Sequence, residues 1–220
     1  LGGLVPQHVI AMGESQSAYF LSTLVNAVHP LDPVFDGFLI HSRGGGVAPL
    51  DGDLSGRDDE DLPESAVLIR TDLDEPVMIV EAETDLTLLG YHVARQPDTD
   101  GVRTWEMAGT AHSDAHVLRS IIGGPRSAEV GSLIGCTEPI NTGPHHEVLS
   151  AGLNHLVAWA AGGDPPPTAE RIELTEDDEP AIVRDELQVA VGGVRNPLVD
   201  VPVAVPTGDP PAGSTLEDLR

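Results

Sequence analysis

The stretch that decides the reading is Pro6-Gln7-His8-Val9-Ile10-Ala11-Met12-Gly13-Glu14-Ser15-Gln16-Ser17, continuing through Ala18-Tyr19-Phe20-Leu21 to Val28. Residues 6–12 predict a short buried strand closed by Gly13. Ala18, Tyr19, Leu21, Leu24, Val25 and Val28 then recur with a helical period, which predicts a helix over 16–28. Ser15 falls on the turn between the two. That is the setting of a G-x-S-x-G nucleophile elbow, with Ser17 in place of the final glycine. Small residues two before and two after the serine let strand and helix approach. The hydroxyl then stands at the positive end of the helix, and the N–H of Gln16 points to where an oxyanion would develop. Taken alone, the string serves equally well as a serine N-cap in a βα turn.

Working outward, strands are predicted over Phe35–Ile40, 76–81 and 102–107, and short helices over Asp85–His92 and His116–Ile122. An amphipathic helix follows over Val148–Ala161, with Pro144 near its start and Gly162-Gly163 at its end. Residues 51–64, acidic and glycine-containing, predict a loop. Strands alternating with helices give an α/β fold on a mostly parallel sheet with flanking helices. Such a sheet carries its chemistry at the carboxyl ends of the strands, which points to residues 13–17, 41–46, 81–86 and 108–113. The texture changes after 168. The chain divides into a core over 1–168 and an acidic loop with an extended or β-hairpin tail over 169–220, read from apolar runs at Leu187–Val191 and Leu198–Val205 around Gly192-Gly193.

The segments past the strands supply partners for Ser15 in the order Ser, acid, His. Past the third strand come Glu83-Thr84-Asp85, in which Asp85 is the favoured acid and Glu83 the alternative. Past the fourth lies Ala108-Gly109-Thr110-Ala111-His112, where a general base belongs. Glu14, His41 and Arg43 are candidates for lining a substrate cleft. A packed role for His41 and ion pairing for Arg43 and Arg195 are the plainer readings. His116 reads as a helix residue, and His145 and His146 as solvent-facing residues at a helix start. No histidine pair has the spacing of a helical zinc site, so no metal is expected.

Composition narrows the classes. The net charge is −25, and all 11 basic residues are arginines. A surface so acidic repels nucleic acid and anionic lipid, and neither is an expected partner. No run of about 18 apolar residues predicts a spanning helix. The single cysteine, Cys136, can form neither an intrachain disulfide nor a cysteine-based zinc site.

With these residues in place, the chain resembles α/β-hydrolase-domain proteins of bacteria. The resemblance rests on Gly13-Glu14-Ser15-Gln16-Ser17, Phe35-Asp36-Gly37 with His41-Ser42-Arg43-Gly44, Glu83-Thr84-Asp85 and Arg103-Thr104-Trp105-Glu106 with Ala108-Gly109-Thr110-Ala111-His112. It continues in Pro139-Ile140-Asn141 with Gly143-Pro144, and in Gly192-Gly193-Val194-Arg195 with Pro197 and Val199-Asp200-Val201-Pro202. It implies the C-terminal portion of the α/β-hydrolase fold and a Ser, carboxylate and His triad, which falls on Ser15, His112 and Asp85, with Glu83 as the alternative acid. It says little about the natural substrate; from the chemistry of such a triad, the expected activity is cleavage of small-molecule carboxylic esters through an acyl-enzyme, with no cofactor. An acyltransferase using the same triad, and a non-catalytic binding domain that retains the fold, are the alternatives. The resemblance also places further strands, and a second oxyanion donor, ahead of the elbow. An N-terminal portion of the same fold or a partner chain is therefore expected to complete the sheet, and the isolated 220-residue chain to be catalytically poor.

Overall fold

The structure, a computed structural model, describes residue 3 and residues 5–50, 66–122 and 140–201. The predicted loop at 51–64, Cys136 and the far end of the tail lie outside the described residues.

Four parallel strands, β1 (Ile10–Glu14), β2 (Gly37–His41), β3 (Val77–Ala82) and β4 (Val102–Met107), lie side by side in that order. Strands β2, β3 and β4 are buried at every residue, as suits parallel strands covered on both faces. The pleat sends alternate side chains to two cores. Phe38, Ile40, Val77 and Ile79 pack with Ala18 and Leu21 of helix α1 (Gln16–Thr23) and with Val25 of the wider π-helical turn, Leu24–Val28, that continues it. Leu39, Met78, Val80, Trp105 and Met107 pack on the opposite face with Val148 and Leu156. The last two belong to a long helix, His145–Ala160. Between β3 and β4 run α2 (Glu83–Thr87) and a 3-10 turn at Tyr91–Ala94; α3 (Ala115–Ile122) follows β4, and the long helix is thus α4.

Several details differ from expectation, among them the helix predicted over Asp85–His92, which is split into α2 and the 3-10 turn. The first strand runs on through Gly13 to Glu14, because Glu14 still pairs with His41. The tail doubles back earlier than the glycines suggest. Residue Ile182 bridges Leu174 and Arg184 bridges Ala190, with the turn at Asp185–Gln188, where Gln188 N–H donates to the Asp185 carbonyl. Gly192 and Gly193, at φ 80° and 74°, instead bring the chain against backbone. A β-carbon on Gly192 would lie 2.2 Å from the Arg171 carbonyl oxygen, and one on Gly193 would lie 2.8 Å from that of Glu106. Val194 then bridges Met107 and covers the outer side of β4. Finally, Leu198 does not extend a strand. It lies in a helical turn, α5 (Pro197–Asp200), where the Asn196 side chain accepts its N–H and Pro197 occupies the first position.

Candidate active site

The carboxyl ends of the four strands bring the predicted residues to one rim. Ser15 sits between β1 and α1 at φ 54° and ψ −121°, a conformation that costs a residue bearing a β-carbon about 1–3 kcal/mol. Its N–H donates to the His41 carbonyl at 3.1 Å, and its carbonyl accepts the N–H groups of Ala18 and Tyr19. The turn is tight enough that a β-carbon on Gly13 would lie 2.6 Å from the Ser17 carbonyl oxygen. The side chain of Ser17, by contrast, is exposed, which explains why this position tolerates more than glycine. Gln16 is the first residue of α1, so its N–H has no acceptor within the helix and is free to serve an anion.

His112 lies in the segment between β4 and α3. Its Nε2 is 3.0 Å from the Ser15 hydroxyl and its Nδ1 is 2.7 Å from Asp85 Oδ1. A carboxylate only accepts, so the proton of the neutral ring is on Nδ1, and Nε2 presents a lone pair to the serine. Asp85 is fully buried in the first turn of α2, and its second oxygen accepts the Ala82 N–H at 2.6 Å. Burial pushes the Asp85 pKa up. The hydrogen bond from His112 and its charge outweigh that, helped by the Ser42 hydroxyl and the Ala82 N–H, and the carboxyl ends below its usual range. Burial likewise pushes His112 down, but the hydrogen bond to Asp85, the Asp85 charge and the Glu14 charge leave it raised above 6.5.

Glu83, the alternative acid, points elsewhere. One oxygen accepts the Gly109 N–H at 2.6 Å and the other pairs with Arg184 at 2.7 Å. Arg43 is fully buried on the α1 side of the sheet, against the Tyr91 ring and the Val67 carbonyl, with no surface open to a cleft among the described residues. Arg195 pairs with Asp200. His41 is buried and meets His145 at 2.7 Å. His145 itself is buried rather than solvent-facing, because the first turn of α4 packs against the sheet end; His146 is exposed and stacks on His116. Glu14 is exposed and, with His41, lines a cavity of about 250 Å³ bounded by α3 and α4.

Residue types alone did not single out Thr84, Asn141 or Ser42. Thr84 Oγ1 accepts the His112 N–H at 2.7 Å. The Asn141 side chain donates to the Gly109 carbonyl, and the Asn141 main-chain carbonyl accepts the Ala115 N–H. Ser42, like Ser15, has a positive φ, 52°, at a strand end. Its placement after β2 was the only sequence signal for it. Among the described residues no group of three or more His, Cys, Asp or Glu could hold a metal ion.

The family described as alpha/beta hydrolase domain matches residues 1–217. The chain belongs to it. No curated protein and no solved structure matches the chain. The parallel sheet with helices on both faces is the α/β architecture of this hydrolase family, and the rim just described is the end of the sheet at which such folds carry their sites.

Proposed function

We propose that this α/β-hydrolase cleaves carboxylic esters of small molecules through an acyl-enzyme, with Ser15 as nucleophile, His112 as general base and acid, and Asp85 as its orienting carboxylate. The observation that carries the reading is the continuous hydrogen-bonded line from the Ser15 hydroxyl through both nitrogens of His112 to a buried carboxylate. As Ser15 Oγ attacks the ester carbonyl, its proton passes to His112 Nε2, and Asp85 stabilises the imidazolium. The negative charge gathers on the former carbonyl oxygen, towards which the Gln16 N–H is free to donate. When the tetrahedral adduct collapses, the alkoxide leaves with the proton from His112. Water repeats the sequence on the acyl-serine, releasing the acid and restoring the serine. Among the described residues β1 pairs with β2 alone, and a second oxyanion donor is to be sought on the other side of β1.

The test uses the full-length protein and a panel of small p-nitrophenyl esters. Ser15→Ala is expected to lower kcat by about four to six orders of magnitude. A fluorophosphonate probe is expected to modify Ser15 in the parent and nothing in the variant, read by mass spectrometry. Undiminished turnover by Ser15→Ala would overturn the proposal.

A further inference from the structure

The segment that carries His112, residues 108–114, has no regular secondary structure, yet it must hold an imidazole 3.0 Å from a hydroxyl on another strand end. Two buried histidines outside the triad bear on that separation. His145 Nδ1 lies 3.1 Å from the carbonyl oxygen of Ala111, the residue before His112. A carbonyl offers only lone pairs, so the proton is on His145 Nδ1. In the neutral ring Nε2 is then an acceptor. The atom facing it, at 2.7 Å, is His41 Nε2, which must supply the proton. The contact thus fixes the tautomers of both rings, in the way a hydrogen-bond partner fixes any imidazole. Burial and the neighbouring His145, partly opposed by Asp85, push His41 down to about 3, so this ring has one N–H to give and one lone pair.

His41 also acts through its main chain. Its carbonyl accepts the Ser15 N–H at 3.1 Å and so defines the elbow from the β2 side. One residue therefore holds both halves of the reacting pair, the serine turn by its backbone and the histidine segment by its ring. We propose that His41 and His145 are positioning residues that set the Ser15–His112 distance, with His41 locking the tautomer by which His145 grips the Ala111 carbonyl. The inference rests on the reading of Ser15 and His112 as nucleophile and base. It assigns His41 and His145 no contact with the reacting atoms.

The experiment uses the full-length protein. Side-chain nitrogen NMR is expected to show the proton of His145 on Nδ1 and that of His41 on Nε2. In kinetics, His145→Leu and His41→Leu are expected to lower kcat by about 10- to 100-fold with KM little changed, since a misplacement near 1 Å costs up to about 100-fold. His145→Asn, whose amide nitrogen takes the place of Nδ1, and His41→Gln, whose amide takes the place of Nε2, are expected to recover most of that loss. A merely structural role would lower Tm and active fraction in proportion and would not separate the amide from the leucine variants. The proposal is overturned if His145→Asn is as impaired as His145→Leu, if His145→Leu keeps full kcat, or if the NMR tautomers are reversed. Should a leucine variant fail to fold, the amide variants and the tautomers still decide. Turnover retained by Ser15→Ala would end the esterase reading and the kinetic arm that rests on it, whereas reversed tautomers, read without reference to activity, would end the positioning proposal itself.

Discussion

The elbow at Ser15 and the segment at His112 solve the same problem by opposite means. The elbow is held mainly by its own neighbours in sequence, with one bond from outside: Gly13 closes on Ser17, the Ser15 carbonyl caps the first turn of α1, and the His41 carbonyl takes the Ser15 N–H. The His112 segment is held from a distance. Glu83 takes the Gly109 N–H, Asn141 donates to the Gly109 carbonyl, Thr84 takes the His112 N–H and His145 holds the Ala111 carbonyl. A strained turn can be local because its strain is carried by one residue's dihedrals. A ring that must be aimed at another strand end needs bonds from several elements, since an irregular segment has no ladder to fix it. The difference teaches where each region is vulnerable: the elbow to bulk, the histidine segment to loss of a remote polar group.

The largest effect should separate two carboxylates only two residues apart. Asp85→Asn in the full-length protein removes the charge and the acceptor that keep His112 in its working tautomer. It is expected to lower kcat about 10⁴-fold, measured in steady-state kinetics. Glu83 braces the segment without touching the ring. Glu83→Ala breaks its ion pair with Arg184, whose side chain is 15% exposed, and leaves the Gly109 N–H unmet. The expected cost is about 3 kcal/mol of stability in denaturant unfolding, with a much smaller fall in kcat than Asp85→Asn. If Glu83→Ala matched Asp85→Asn in kcat at full stability, the division of labour between the two carboxylates would be wrong.

The same contrast explains what the sequence makes legible. The elbow, the four strands and the order Ser15, Asp85, His112 follow from local pattern: small residues around a serine, buried apolar runs, and polar residues just past strand ends. The braces do not. Nothing near His145 announces that the first turn of α4 packs on the end of β2, so position alone suggests a solvent-facing residue where the structure has a buried one. Asn141 and Thr84 act through bonds that only the tertiary arrangement creates. The tail fails for a related reason. Gly192-Gly193 reads as a hairpin turn, but those glycines are needed where the chain presses on the backbone of Arg171 and Glu106, and the turn proper is made earlier in the chain, by Asp185–Gln188. A glycine pair reports a close approach as readily as a turn.

Gly13→Ala tests the elbow by bulk. Its new methyl would meet backbone rather than a pliable side chain, so strand and helix must separate. The expected loss is about 1–3 kcal/mol, seen as a lower Tm, together with reduced fluorophosphonate labelling of Ser15 in the fraction that stays folded. Parent-like stability and labelling in this variant would show that the turn has slack, and the elbow would no longer stand as the region limited by steric closeness.

The smallest effect tests whether the two regions are electrically joined. Glu14 belongs to the elbow strand, yet its charge is one of the causes that raise His112. In the proposed mechanism only the neutral imidazole takes the serine proton, so activity is expected to fall as pH drops through the His112 pKa, with that acid limb above the usual histidine value. Glu14→Gln removes an anion that favours the imidazolium. The His112 pKa should therefore fall and the acid limb of kcat/KM should move to lower pH, with the plateau little altered. Because Glu14 is exposed, its influence crosses solvent and is screened by ions. Parent and variant profiles should accordingly separate at low ionic strength and converge in about 1 M salt, where the Debye length is about 3 Å. A limb that moves to higher pH, or a separation that persists in high salt, would mean that Glu14 acts on the imidazole through contact or shape, and the elbow and the histidine segment would then share a mechanical link in place of an electrostatic one.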